Sequence, residues 1–250
     1  MSGLTGLLLI DKPAGMTSHD VVDCVRRRFG MRRIGHGGTL DPAATGLLIL
    51  LLGQATRYAR HLLNADKTYL STLFLGQTTD TQDAEGKLLE TRPVGMLTPQ
   101  QIEAACARFR GEIEQEVPAF SAVRVRGKRF YDLARAGQSV PRRVRKIRVH
   151  RLAVLEIRLP EVDLEVTCSS GTYVRTLCAD IGAALGCGGH LKRLCRTQVG
   201  PFALRQSVKL DQVTPEHLLP VEKLAWPHHL TSALRAGANW ESSLPSAEGG

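Results

Sequence analysis

The sequence predicts an α+β fold, a mixed and largely antiparallel sheet with flanking helices. Two observations predict it directly. Strand-like and helix-like periodicities intermix along the chain without the regular strand–helix–strand spacing of a parallel sheet, and no internal repeat is present. A third sets the scale: 250 residues with 43% hydrophobic content can bury one substantial core.

Taken in order, Gly6 to Asp11 is a short apolar run stopped by Pro13 and Gly15, which reads as a buried strand. Ser18 then caps a helix whose apolar face is Val21, Val22, Val25 and Phe29, closed by Gly30. Residues 31–46, MRRIGHGGTLDPAATG, follow neither period and hold four glycines, so they read as a loop leading into a deeply buried apolar element. Thr68 to Leu75 alternates as a strand, TDTQDAEG is a polar turn, and Lys87 to Glu90 returns as its hairpin partner. That acidic turn lacks the ligand spacing and the twelfth-position Glu of a calcium loop. Thr98-Pro99 opens a helix with Ile102, Ala105, Cys106 and Phe109 on one face before Gly111. A short helix around Tyr131 to Ala136 precedes a long strand with Val144, Ile147, Val149 and Leu152 on one face and charges on the other. A strand at Val162 to Cys168 follows, then an amphipathic helix from Gly171 to Gly186 with Val174, Leu177, Cys178, Ile181 and Leu185 inward. Beyond Pro227 the pattern weakens, so the expected division is a folded unit over 1–226 and a weakly structured tail over 227–250.

Charge narrows the class of partner. Lys and Arg number 33 against 24 Asp and Glu, a formal charge of +9, which favours a polyanion: nucleic acid first, an anionic membrane second. Arg142, Arg143, Arg145, Lys146, Arg148 and Arg151 are crowded into one stretch, with Arg124, Arg126, Lys128 and Arg129 upstream. Aromatic residues make up only 5%, so extensive base-stacking platforms are not expected, and a folded RNA read by shape and phosphate fits better. The run Leu47 to Leu52 is too short to cross a bilayer. Six cysteines without a CxxC pair, and the lack of a secretory leader, predict free buried thiols in the cytoplasm. Cys187, His190 and Cys195, placed in a Gly-rich loop and helix start, match no common zinc spacing.

Two segments carry chemistry. In GHGGTLDP the glycines allow close backbone approach while His36, Thr39 and Asp41 supply polar groups, although an Asp before Pro equally suits a plain turn. In SSGTYVRTL, Tyr173 and Arg175 stand at a loop-to-helix junction, where an Arg pairs with a carboxylate or a phosphate.

Six stretches in the same order, LLLIDKPAGMTSHDVV, GHGGTLDPAATGLL, KTYLSTLFLGQTTDTQDAEG, VPAFSAVRVRGKRFYDLARAG, SGTYVRTLCADIG and GGHLKRLCRTQVGPF, make residues 6–204 similar to the TruB family of tRNA pseudouridine synthases. The resemblance implies the pseudouridine synthase fold and isomerisation of uridine 55 in the TΨC loop of tRNA, with no cofactor, no metal and no obligate protein partner. It implies that Asp41 is the essential carboxylate, Tyr69 the ring against the target base, and Arg175 the ion-pair partner of Asp41. His36 resembles the residue that helps open the RNA loop, and Leu194 one that packs near the uracil. The expected substrate-binding set is His36, Lys12, Tyr173, Leu194, Arg143, Arg145 and Arg148, with Lys12 and Lys67 read as pocket supports, phosphate contacts or exposed strand-end charges.

The chemistry can be stated from first principles. The glycosidic bond breaks, the uracil turns, and its C5 joins the sugar C1′, with no redox change and no added atom. A carboxylate beside C1′ either attacks it or removes the 2′ proton to give a glycal, and both routes remain open. Both need Asp41 ionised, which an adjacent guanidinium favours in a dry pocket. The Tyr69 hydroxyl is placed to assist removal of the C5 proton. The target uridine must first be extruded from its stack. Two departures stand out. Phe120 replaces a Tyr common in the P-x-Y-S-A segment, and only a short, weakly patterned stretch follows Trp226, where bacterial relatives usually carry a small RNA-binding domain. A non-catalytic RNA chaperone would be expected to lack Asp41, Tyr69 or Arg175, a guide-RNA-directed synthase to carry partner-binding extensions, and a glycosidase to present two facing carboxylates.

Overall fold

The structure is a computed structural model that describes residues 4–221 other than 122 and 126, without the side chains of 124, 128 and 129. The expected boundary at Trp226 and Pro227, the tail and Arg126 lie outside the described residues. In chain order the elements are β1 (Gly6–Lys12), α1 (Ser18–Phe29), β2 (Ile34–His36), β3 (Thr45–Leu52), α2 (Ala59–Asn64), β4 (Lys67–Leu75), β5 (Gln77–Thr79), β6 (Leu88–Thr91) and α3 (Pro99–Ala107). There follow β7 (Gly111–Glu116), β8 (Arg124–Val125), β9 (Lys128–Arg129), α4 (Phe130–Arg135), β10 (Val144–Arg158), β11 (Glu161–Cys168), α5 (Val174–Ala184), β12 (Gly189–Val199), β13 (Phe202–Ala203) and β14 (Val208–Lys209).

One ten-stranded, largely antiparallel sheet organises the chain, in the order β14-β1-β3-β12-β4-β11-β10-β7, with β2 on β3 and β13 on β12. The runs in β1 and β3 lack polar alternation because both faces are covered. Leu8, Ile10, Leu48, Leu50 and Leu52 enter the larger core, where residues of α1, α3 and α5 also pack. Leu7, Leu9, Leu47, Ile49 and Leu51 enter a smaller core with Leu62, Val199 and Phe202 on the other face. In β11 the alternation is strict, with Val162, Leu164, Val166 and Cys168 inward. In β10 it slips by one at a bulge between Val149 and Arg151, which is why Leu152 turns inward after Val149.

Three local expectations are corrected. The cap of α1 is Thr17 rather than Ser18: Thr17 Oγ1 accepts from Asp20 N at 3.0 Å, while the Asp20 carboxylate accepts from Thr17 N at 2.8 Å. Ser18 is inside the helix and buried, its hydroxyl donating to Leu40 O and accepting from Leu40 N. Residues 87–90 do not return against β4; β6 pairs with β5 in a separate, exposed hairpin, and β4 lies inside the main sheet between β11 and β12. The segment with His190 and Cys195 is no loop and helix start but strand β12, antiparallel to β4 and parallel to β3 through Cys195↔Thr45 and Arg196↔Gly46.

The close approach of β3 to β12 requires Gly46. Its φ is 95°, and a Cβ there would stand 2.4 Å from the Arg196 carbonyl oxygen. The basic stretch also differs from a free cationic track. Strand β10 lies beside the acidic β7, with Lys146 opposite Glu114 and Arg148 opposite Glu112. Arg148 pairs with Glu112 at 3.0 Å, and Arg142 with Glu116 at 2.9 Å. All six cysteines are unpaired, Cys24 and Cys195 being only half-buried. Among the described residues no helix is long and apolar enough to cross a membrane.

Candidate active site

The loop between β2 and β3 is fixed from several sides. Gly37 N donates to Ile49 O at 2.8 Å, Gly15 N to Pro42 O at 2.9 Å, and Ala44 N to Asp41 O at 3.1 Å. Ser18 of α1 holds Leu40 through both backbone groups. The Lys12 ammonium donates to Pro13 O, Met16 O and Pro42 O at 2.8, 2.6 and 3.1 Å. Lys12 is completely buried, so the expected substrate contact is corrected: its donors are taken by carbonyls, and it cannot reach an RNA phosphate. Burial lowers its pKa, and Asp41 works in the opposite direction. Lys67 is likewise structural, donating to Leu62 O, Leu63 O and Ala65 O at the end of α2, with its pKa lowered by burial to about 8.

On this rigid backbone the Asp41 side chain remains open, 49% exposed, against a buried Arg175 at 8%. Arg175 belongs to the first turn of α5. Its Nη1 lies 3.4 Å from Asp41 Oδ2 and 3.4 Å from Asp83 Oδ2, and its Nη2 donates to Phe120 O. The predicted ion pair is therefore formed. The contact with position 120 runs through the backbone, so it is available to Phe as it would be to Tyr. Asp83 escaped the sequence reading because TDTQDAEG offers several carboxylates in a turn and no period to select one. Here Asp83 is the fixed counterion, 17% exposed, with Oδ1 accepting from the Thr81 hydroxyl at 2.6 Å and Glu85 N at 3.1 Å. Gln82, with φ of 65°, accepts from the Thr176 hydroxyl at 2.7 Å and docks the same turn on α5.

Tyr69 is buried on β4 opposite Arg196 of β12. Burial raises its pKa, while the nearby Arg196 guanidinium acts the other way. The phenol is neutral at ordinary pH, which suits a ring platform; to accept the C5 proton it would first have to give up its own. The Tyr173 ring lies between two guanidinium groups, Arg145 at 5.3 Å and Arg175 at 5.7 Å from its centroid. Its backbone is clamped by buried Gln115, with Tyr173 N to Oε1 at 2.8 Å and Nε2 to Tyr173 O at 3.0 Å. Arg145 also donates to Gly171 O at 2.9 Å.

His36 ends β2 and leads into the Asp41 loop. Its Nδ1 accepts from Gly38 N at 3.4 Å, and burial followed by nearby Arg196 lowers its pKa. Among the described residues it bonds to neither Asp41 nor Arg175. Leu194 lines a groove of about 610 Å³ with Ala43 of the same loop, Leu70 and Ser71. Arg143 is exposed just before β10, and Arg148 is engaged by Glu112, so neither meets the Asp41–Arg175 pair. Arg196, also missed in the sequence, donates to Leu47 O, Thr39 O and Gly38 O beneath the loop. A cavity of about 1070 Å³ between α1 and β14 does not include Asp41, Tyr69 or Arg175. No group of three or more His, Cys, Asp or Glu among the described residues is arranged to hold a metal.

A mixed sheet that presents one open carboxylate to a buried arginine, with a neutral tyrosine on a central strand, defines a protein of the pseudouridine synthase fold. Solved structures agree: a Cbf5-Nop10-Gar1 complex matches with TM-score 0.69 and 32% identity over 87% of this chain and 60% of that one. An H/ACA RNP bound to a substrate RNA containing 2'-deoxyuridine matches with TM-score 0.63 and 31% identity over 82% and 51%. This chain thus spans half to three fifths of theirs. The family model described as TruB family pseudouridylate synthase (N terminal domain) matches residues 26–174, and that of the tRNA pseudouridylate synthase B C-terminal domain matches 175–235. Relatives named tRNA pseudouridine synthase B are 50% identical over 84% of this chain and 72% of the protein from Mycobacterium sp. (strain KMS), and 48% identical over 84% and 75% for Thermobifida fusca (strain YX). The chain belongs to the TruB family of pseudouridylate synthases.

Proposed function

We propose that this chain converts uridine 55 in the TΨC loop of tRNA to pseudouridine. The observation that carries the reading is the Asp41–Arg175 pair: an open carboxylate on a clamped loop, kept beside a buried guanidinium that also has Asp83 as a permanent counterion. The relatives named tRNA pseudouridine synthase B support tRNA as the substrate.

In this reading the uridine is flipped out of its loop and its C1′ is brought to the Asp41 carboxylate. Arg175 pairs with the Asp41 carboxylate, which either attacks C1′ or takes the 2′ proton. Tyr69 bears the turning uracil, Leu194 packs beside it, and His36 helps hold the RNA loop open. Tyr173, stacked by Arg145, forms the wall through which the rim joins the centre. Asp83 is a second carboxylate, but its attachment to Arg175, Thr81 and Glu85 makes it a counterion rather than the facing acid of a glycosidase. The catalytic unit spans 1–226, and the reaction takes place in the cytoplasm, without an obligate protein partner. The test is to incubate the purified chain with an unmodified tRNA transcript and map pseudouridine by nucleotide. Modification at position 55 is expected; no pseudouridine, or pseudouridine elsewhere only, refutes the proposal.

A further inference from the structure

We infer that Arg196 is a positioning residue: one buried guanidinium ties the Asp41 loop to strand β12 directly opposite Tyr69 and so sets the carboxylate and the ring relative to each other. The inference deepens the proposed activity and rests on it for the roles of Asp41 and Tyr69.

Arg196 is only 1% exposed, in the middle of the sheet, a place where an apolar strand residue would ordinarily pack. No carboxylate pairs with it among the described residues. Its acceptors are main-chain carbonyls: Leu47 O at 2.8 Å from Nε, Thr39 O at 3.2 Å from Nη1 and Gly38 O at 3.1 Å from Nη2. Two of these are in the loop that ends in Asp41, and the third is on β3, where that loop enters the sheet. Tyr69, on the far neighbour of β12, stands opposite Arg196 in the strand register. The planar fork of arginine can reach acceptors on a loop and on an adjoining strand at once, which a lysine cannot.

The glycines around the loop fit the strand that carries this guanidinium. Gly38 has φ of 142°, which side chains rarely adopt, and its carbonyl accepts from Nη2. At Gly46 a Cβ would collide with the Arg196 backbone, 2.4 Å from its O and 2.8 Å from its N. A buried cation with carbonyl partners alone is costly to keep, and what it secures here is the two groups that face the reacting base.

The test compares Arg196→Lys, Arg196→Met and Tyr69→Phe in the full chain. For Arg196→Lys, single-turnover pseudouridine formation at saturating tRNA should fall about 100-fold, as for a small misplacement of reacting groups. Its tRNA dissociation constant should stay within about threefold, because phosphate contacts lie elsewhere. Hydrogen exchange at residues 37–44 should quicken while β1 and β11 keep their protection. Tyr69→Phe leaves the carbonyl bonds in place, so it should slow the reaction without quickening exchange in the loop. Should Arg196→Met fail to fold, the lysine variant carries the comparison. Wild-type rate or unchanged loop exchange in Arg196→Lys overturns the inference, as does faster exchange throughout the sheet with rate and affinity lost together. If the wild-type chain forms no pseudouridine, the proposed activity fails, while the exchange measurement still decides whether Arg196 holds the loop.

Discussion

At the scale of single residues, the site separates a fixed charge from a working one. Asp83 and Asp41 share the Arg175 guanidinium, but Asp83 is held by two further donors and Asp41 is half exposed. Asp41→Asn keeps the shape and removes the charge that either route needs at C1′. Single-turnover formation of pseudouridine should fall by about 10³-fold or more, with tRNA binding nearly unchanged in a filter-binding titration. Product at an appreciable rate from the Asn variant would remove Asp41 from the mechanism. Asp180 of α5 gives a prediction of the opposite kind. Burial, with Glu116 nearby, pushes its carboxyl up to about 6 from an ordinary 3.8. The folded state therefore holds this proton more tightly than the unfolded chain, so the contribution of Asp180 is most favourable below about pH 4 and is lost as pH rises through about 6. Asp180→Asn should gain about 1–2 kcal/mol over the wild type at pH 8 and little at pH 4, as read from urea midpoints at the two pH values. An equal effect at both would place the cause in packing.

At the scale of elements, β7 changes the meaning of the basic stretch. Read along the chain, 142–151 is a cationic track; paired in the sheet, it lies beside Glu112, Glu114 and Glu116, which no local reading of β10 can reveal. Arg143→Ala should lower the salt slope of tRNA binding by about 1. Arg148→Ala should lower it by less than half as much, because Glu112 loses its partner in the same step. The check is the slope of log affinity against log salt for each variant; equal slopes would mean that Glu112 does not neutralise Arg148 when RNA is bound. The β3–β12 junction is the other element-level constraint. Gly46→Ala adds a methyl against the Arg196 backbone at a φ of 95° and should destabilise the chain by about 2–4 kcal/mol. Urea unfolding tests it, and a loss below about 0.5 kcal/mol would mean that the two strands can move apart cheaply.

At the scale of the whole molecule, the site is assembled across the sheet. Asp41 and Tyr69 lie within the stretch matched by the N-terminal family model, whereas Arg175 and Arg196 lie in the stretch matched by the C-terminal one. Strand β12, late in the chain, inserts between β3 and β4, so the two stretches form one hydrogen-bonded sheet. A chain ending at residue 174 would leave β3 and β4 with open edges and should show no cooperative unfolding and a tendency to aggregate. One ending at 226 should melt cooperatively and retain pseudouridine formation. Circular dichroism melts of the two truncations check this, and a cooperative transition in the shorter one would show that β12 is dispensable.

By itself the sequence determined the α+β class, most of the longer elements, and Asp41 and Arg175 as residues to examine, with Tyr69 marked only by the resemblance to the TruB family. Buried faces leave a periodic trace along the chain, and the glycine-rich loop and the SSGTYVRTL junction are local. The tertiary structure decided what depends on partners distant in sequence. It buried Lys12 under the loop, selected Asp83 from an acidic turn, neutralised much of the basic strand and placed Arg196 between the loop and Tyr69. It also showed that the Gly189–Val199 segment, whose charges and small residues conceal its period, is a central strand. The reason is physical: periodicity records which face of an element is buried, whereas a buried charge is defined by the carbonyls or carboxylates that fold against it, and those come from elsewhere in the chain.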